Sequence, residues 1–161
     1  MKGDARVLEA LNEGLALELT AVNQYFLQAR MLSNWGYHKL GQKLFDESLD
    51  EMTHAQKIMD RILLLEGSPQ MAPRKVQIGG NVKAMLDNDL TLESQGAKAY
   101  NAAIELCLQA KDAASRELLE DILVDSEHHV NWIESQVRLV QEVGIENYLA
   151  DQIGEEKTKG K

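Results

Sequence analysis

Hydrophobic positions recur every three or four residues along most of the chain, the spacing that lines one side of an α-helix. Leu11, Leu15, Ala21, Val22 and Tyr25 form one such stripe and predict a first helix from about Asp4 to Trp35. Asp4 is placed to cap its start and Gly36 to stop it. Leu44, Ser48, Ala55, Ile58 and Ile62 mark a second helix from about Tyr37 to Glu66, ended by Gly67-Ser68-Pro69. Met85, Leu86, Asp89, Leu90, Ala97 and Tyr100 mark a third, from about Asn81 to Ala110. Asp112 then caps a fourth, which carries Ile122, Val130 and Ile133 and runs to Val143. Gly144 stops it, and Ile145–Ile153 reads as a short fifth helix.

The longest break in the pattern runs from Gly67 to Gly80 and holds both prolines, Pro69 and Pro73. The links at residue 36 and at residues 111–112 are short, so each joins an antiparallel hairpin. The long middle link lets the two hairpins pack with one crossover. The predicted fold class is therefore all-α: a ferritin-like four-helix bundle with a long crossover between helices 2 and 3 and a short fifth helix. Residues 1–153 are expected to form this one domain. Residues 154–161 form a charged tail expected to be disordered.

The composition fits that reading. A chain of 161 residues, 44% hydrophobic and 27% charged, suits a single domain with a sizeable core. A net charge of −9 argues against nucleic acid or an anionic membrane as partner and is compatible with attracting cations. Cys107 is the sole cysteine, which excludes an intrachain disulfide, and its leucine neighbours point to a buried structural thiol. No apolar signal core opens the chain and no apolar run reaches membrane length, so a cytoplasmic location is expected.

Acidic side chains interrupt the apolar stripes. Glu18 sits within the first stripe, Glu51 within the second with His54 one turn on, and Glu93 within the third. Ser126 and His129 fall on the fourth. A buried carboxylate is expensive unless it is paired or binds a metal. One Glu-x-x-His is a weak signal, since chance supplies many. Glu18, Glu51, His54, Glu93 and His129 on four separate helices are a much stronger one. Carboxylates with imidazoles suit iron, and carboxylates shared between two metals hold them close enough to act on one O2.

Asp50-Glu51-Met52-Thr53-His54-Ala55 is the most specific of several stretches through which the chain resembles the bacterioferritins. The others are Met1-Lys2-Gly3-Asp4, Asn23-Gln24-Tyr25-Phe26-Leu27, Asn34-Trp35-Gly36, Leu65-Glu66-Gly67 and Asn147-Tyr148-Leu149. The resemblance covers nearly the whole chain except the last few residues. It implies a hollow 24-subunit shell that stores ferric mineral, an intrasubunit di-iron ferroxidase site, and haem b between paired subunits. By position, Glu18, Glu51, His54, Glu93 and His129 match five of the six di-iron ligands, and Tyr25 matches the family's tyrosine beside that site. Met52 matches the haem-binding methionine, with one copy from each of two subunits holding the iron on a two-fold axis. A ferredoxin is the implied redox partner.

The chain departs from the family at Ser126, where the pattern has a glutamate that bridges the two irons. Glu127 lies about 100° round the helix and is expected to point away unless the helix rewinds locally. His128 is also off the stripe. A weakened or absent ferroxidase centre follows.

Phe45 and Met59 flank Met52 at seven-residue spacing, and Leu19, Asn23, Phe26 and Arg30 share a flank of the first helix. Of these, Leu19, Asn23, Phe26, Phe45 and Met59 are haem-pocket candidates. Without the resemblance, plain subunit packing is the better explanation of such a stripe. Asp46 and Asp50 are candidates for iron transit or nucleation at an inner surface, or belong to a solvated helix face. The leading expectation is a haem-bearing storage subunit with a defective ferroxidase site that shares its shell with a competent companion. The alternatives are a working ferroxidase despite Ser126 and, far behind, a metal-free helical interaction module.

Overall fold

The computed structural model describes residues 1–156, and residues 157–161 of the predicted tail lie outside the described residues. The described residues contain no strand. Their helices are α1 (Ala5–Asn34), α2 (His38–Leu64), α3 (Val82–Gln109), α4 (Ala113–Val143) and α5 (Ile145–Asp151). The all-α bundle with its long crossover and short last helix is thus the fold, with ends moved by one to two residues at most places.

The caps explain those ends. The Asp4 carboxylate accepts the Arg6 amide at 2.8 Å, Asn81 accepts that of Ala84 at 2.9 Å, and Asp112 accepts that of Ser115 at 3.0 Å. Gly36 and Gly144 follow α1 and α4 with φ of 92° and 83°, a region open to glycine at little cost. At the ends of α2 and α3 the same left-handed position falls instead on Glu66 and Lys111, each with φ 59°. The fifth helix stops short of its predicted end at Ile153. The carbonyls of Gln152 and Ile153 turn to accept the amides of Lys39 and His38, free donors at the start of α2.

Two buried clusters form the core, one around Leu11, Ile58, Tyr100 and Ile122, the other around Leu32, Leu44, Leu86 and Ile133. Val22, Leu90, Ala97 and Val130, expected on the core stripes, are only half-buried, because they lie at the edges of their faces. Cys107 is fully buried in the first cluster, and burial pushes its thiol up to about 11.

The crossover is an extended strap along α1. The Asn12 side chain bonds Ser68 and Gln70, Thr20 Oγ1 accepts the Arg74 amide, and Gln24 Oε1 accepts that of Gln77. Gln28 Nε2 donates to the Ile78 carbonyl at 2.9 Å. Thr20, Gln24 and Gln28 are buried polar residues on successive turns, and they supply the partners that a strap without its own ladder lacks. Their march along α1 carries the chain from one end of the bundle to the other. Hence α3 runs antiparallel to α1, with Asp89 meeting Gln24, Glu93 meeting Tyr25 and Tyr100 meeting Gly14.

Candidate metal centre

Between the two apolar clusters lies a polar seam. Glu18, Glu51, His54, Glu93, Ser126 and His129 are all buried, none more than 6% exposed, so the structure brings together every inward polar residue picked from the stripes. The i, i+3 spacing of Glu51 and His54 sets Glu51 Oε2 3.1 Å from His54 Nδ1. Glu18 Oε2 lies 3.6 Å from the same nitrogen. On the other side, His129 Nδ1 sits 2.9 Å from Glu93 Oε1 and 3.9 Å from Glu51 Oε1. Glu51 therefore offers one oxygen to each histidine.

Two tyrosines anchor the outer carboxylates: Tyr25 donates to Glu93 at 2.5 Å, and Tyr100 donates to Glu18. Burial and the adjacent carboxylates push both phenols well above their usual range, so both remain donors. Asp89, one turn before Glu93, accepts from Gln24 at 2.8 Å, and burial raises its carboxyl to about 7.

Protons balance the charge of the seam. Burial, with the charges of Glu18 and Glu93, pushes the Glu51 carboxyl well up. Burial opposes ionisation of Glu18, yet its neighbours Glu51 and His54, with the Tyr100 hydroxyl, outweigh it and hold that carboxyl low. Burial also works against charging His54 and His129, but Glu18 and Asp125 at the first and Glu93 at the second raise them overall. Glu18 Oε2 and His129 Nε2 remain buried with no hydrogen-bond partner. Carboxylate and imidazole donors with an orphaned carboxylate oxygen fit a divalent cation, which would displace these protons.

Three features of the centre escaped the sequence reading. Glu47, one turn before Glu51, brings Oε2 to 3.6 Å from His129 Nδ1. Asp125 Oδ2 accepts from His54 Nε2 at 3.0 Å, which leaves Nδ1 directed at the carboxylates. Tyr100, an apolar-stripe position by spacing, turns its hydroxyl to Glu18. Spacing of four residues from Glu51 and from His129 was the available signal for Glu47 and Asp125. Glu47, Glu51 and His129 form one group with ligand atoms within 4.8 Å of one another; Glu18, Glu51 and His54 form a second.

Ser126 lines a void of about 10 Å³ with Glu18, Glu51, Glu93 and Tyr100, room for about one water. The fourth helix is regular α through this point, and Glu127 and His128 are both exposed. Asp46 is exposed and accepts from Gln42 at 2.8 Å. Asp50 lines an open cavity of about 370 Å³ that reaches Glu47, Glu51, His54 and His129.

Outside the seam, Met52 is 52% and Phe26 48% exposed. Phe26 packs against half-buried Phe45 with ring centroids 6.2 Å apart. Leu19 and Met59 are partly buried against the core, while Asn23 and Arg30 are exposed, with the Asn23 amide donating to the Leu19 carbonyl.

A helical bundle with one long crossover and a carboxylate–histidine seam defines the ferritin-like class, and a family model described as "Ferritin-like domain" matches residues 8–143. Bacterioferritin from Brucella melitensis is 41% identical over 149 residues, covering 92% of each chain. Bacterioferritin from Mycolicibacterium paratuberculosis is 41% identical over 151 residues, covering 93% of this chain and 95% of its own. A bacterial ferritin from Pseudomonas aeruginosa is 43% identical over 154 residues, 95% of this chain and all of its own length. The chain belongs to the ferritin-like family and, within it, to the bacterioferritins; iron storage is the function this membership supports. No helix of the described residues is long and apolar enough to cross a membrane.

Proposed function

We propose that the chain is a storage subunit of a 24-subunit shell, with iron ions and ferric mineral as cargo and a di-iron site impaired by Ser126. The observation that carries this is the buried seam itself. Five potential ligands converge, and the sixth position is a serine beside a small void. A serine hydroxyl stays protonated near neutrality and cannot bridge two cations as a carboxylate does. The seam can therefore take up Fe(II) but oxidises it slowly, and a companion subunit with a complete site shares the shell.

The exposed flank around Met52 supports haem b as a cofactor. Met52 would hold it together with Met52 of a second copy, and Phe26 and Phe45 offer apolar surface beside it. Haem supplies electron transfer when bound, here from a ferredoxin-like partner toward the stored mineral. The chain's own part is a soft thioether on a self-complementary face.

Fe(II) oxidation by O2 in the purified single-subunit assembly, read optically beside Ser126→Glu, tests the proposal. A slow wild type and a fast variant support it. Equal, fast rates would favour the second reading, a working ferroxidase whose retained ligands suffice. Purification of the native shell gives a separate check: one subunit type with full activity would remove the companion.

A further inference from the structure

Position 126 and residue Glu47 lie on different walls of the seam. Ser126 lines the small void between Glu18, Glu51 and Glu93. Glu47 lines the open cavity that also holds Asp50, Asp125 and His128. Its side chain is 12% exposed, and Oε2 faces the Nδ1 of His129, which is itself only 5% exposed. The same nitrogen faces Glu51 Oε1 and Glu93 Oε1. Nothing else in the seam replaces the missing carboxylate: Glu127 points to solvent, and the helix carries no bulge that would turn it inward.

Glu47 is also held in place. Lys43, one turn earlier, pairs with Glu47 Oε1 and leaves Oε2 toward His129. The Lys43 ammonium lies 4.9 Å from the Trp132 ring centroid, and Trp132 stacks on His129 at 5.9 Å. Lysine, tryptophan and histidine thus form a small scaffold that sets the glutamate and the imidazole against each other.

We propose that Glu47 is a metal ligand in this chain, completing a second cation position with Glu51 and His129. The first position is Glu18, Glu51 and His54, so Glu51 is common to both. The inference rests on the iron-storage reading and sharpens it. Glu47 restores a ligand on the cavity side but no bridge on the void side. The seam binds two cations with Glu51 as their one shared carboxylate, and slow oxidation then reflects the missing bridge rather than a missing ion. The cavity in front of Glu47 gives the second cation a path to exchange.

Co(II) serves as the probe, with the intact assembly at fixed pH. Sites are counted by anomalous scattering from crystals grown with the ion, and stoichiometry by equilibrium dialysis. Wild type is expected to hold two ions per subunit at the seam. Glu47→Gln should hold one, beside His54. Ser126→Ala should keep both. Two ions in Glu47→Gln, or one in wild type, would overturn the role of Glu47 and leave the storage reading standing. No Co(II) at Glu51 in any of these proteins would overturn both.

Discussion

Glu51 and Met52 are neighbours in sequence and opposites in setting. Glu51 is 4% exposed in a seam of carboxylates and histidines, while Met52 is 52% exposed beside Phe26 on the outside of the bundle. One region places charge where apolar groups belong, and the other places apolar groups where water is. Each departs from the usual partition of charged and apolar groups. Under the proposed function a cation replaces the protons of the seam and a second copy covers the flank. A second polar cluster shows what a self-sufficient arrangement looks like. Arg61 donates to Asp112 and to Ser115 at 2.8 Å each, and Asp112 also accepts both the amide and the hydroxyl of Ser115.

The comparison can be broken most directly at Glu51. Because both ligand groups use it, Glu51→Gln is expected to abolish Co(II) and Fe(II) uptake at the seam, measured by dialysis, while the bundle still folds. The complementary change outside is Met52→Leu. It should remove the haem absorbance of the reconstituted assembly, leave cation binding intact, and shift stability by no more than about 0.5 kcal/mol, as expected at an exposed site. Loss of cation binding in Met52→Leu would show that the two regions are not independent.

Ser126→Glu should accelerate Fe(II) oxidation by at least about 10-fold, the lower end of what changing even an outer partner of a metal site does. The same variant forces a carboxylate into the void beside Glu18 and Glu93. Its metal-free form is expected to lose about 1–3 kcal/mol by overpacking. Thermal unfolding with and without Zn(II) measures this, and a larger rise on adding metal than in wild type is the expected sign.

The Arg61–Asp112–Ser115 cluster should respond only in stability. Asp112→Ala removes a helix cap and strands a guanidinium, for a loss of about 2–3 kcal/mol with metal binding unchanged. Burial works against the Asp112 charge, but the Ser115 hydrogen bonds and Arg61 outweigh it and hold its carboxyl below the ordinary value. A lowered folded value means its stabilisation is present above the ordinary carboxylate range and fades as pH falls through the lowered one. The stability gap between wild type and Asp112→Asn should therefore narrow on acidification, followed by denaturant unfolding at several pH values. A gap constant with pH would show that the carboxylate charge is not what the cluster uses.

Helix order, crossover and the inward polar residues were all legible in the chain, because each depends on local period, caps and spacing. Glu18, Glu51, Glu93 and His129 stood out since a charge on an apolar stripe is rare. Glu47 and Asp125 did not, because a carboxylate at the edge of a stripe reads as an ordinary solvated residue until the opposite helix is in place. Thr20, Gln24 and Gln28 were silent for the same reason: their partners belong to a strap more than 45 residues away.

By itself the sequence determined that four helices form, where they begin and end to within a turn, and which side of each carries acidic groups. It also determined that position 126 offers a hydroxyl instead of a carboxylate. Only the tertiary structure decided that Ser126 lines a small void of about 10 Å³ while Glu47 approaches His129 from the other wall. Helical periodicity is a property of one segment, but the distance between side chains on α2 and α4 is set by how the core residues of all four helices pack.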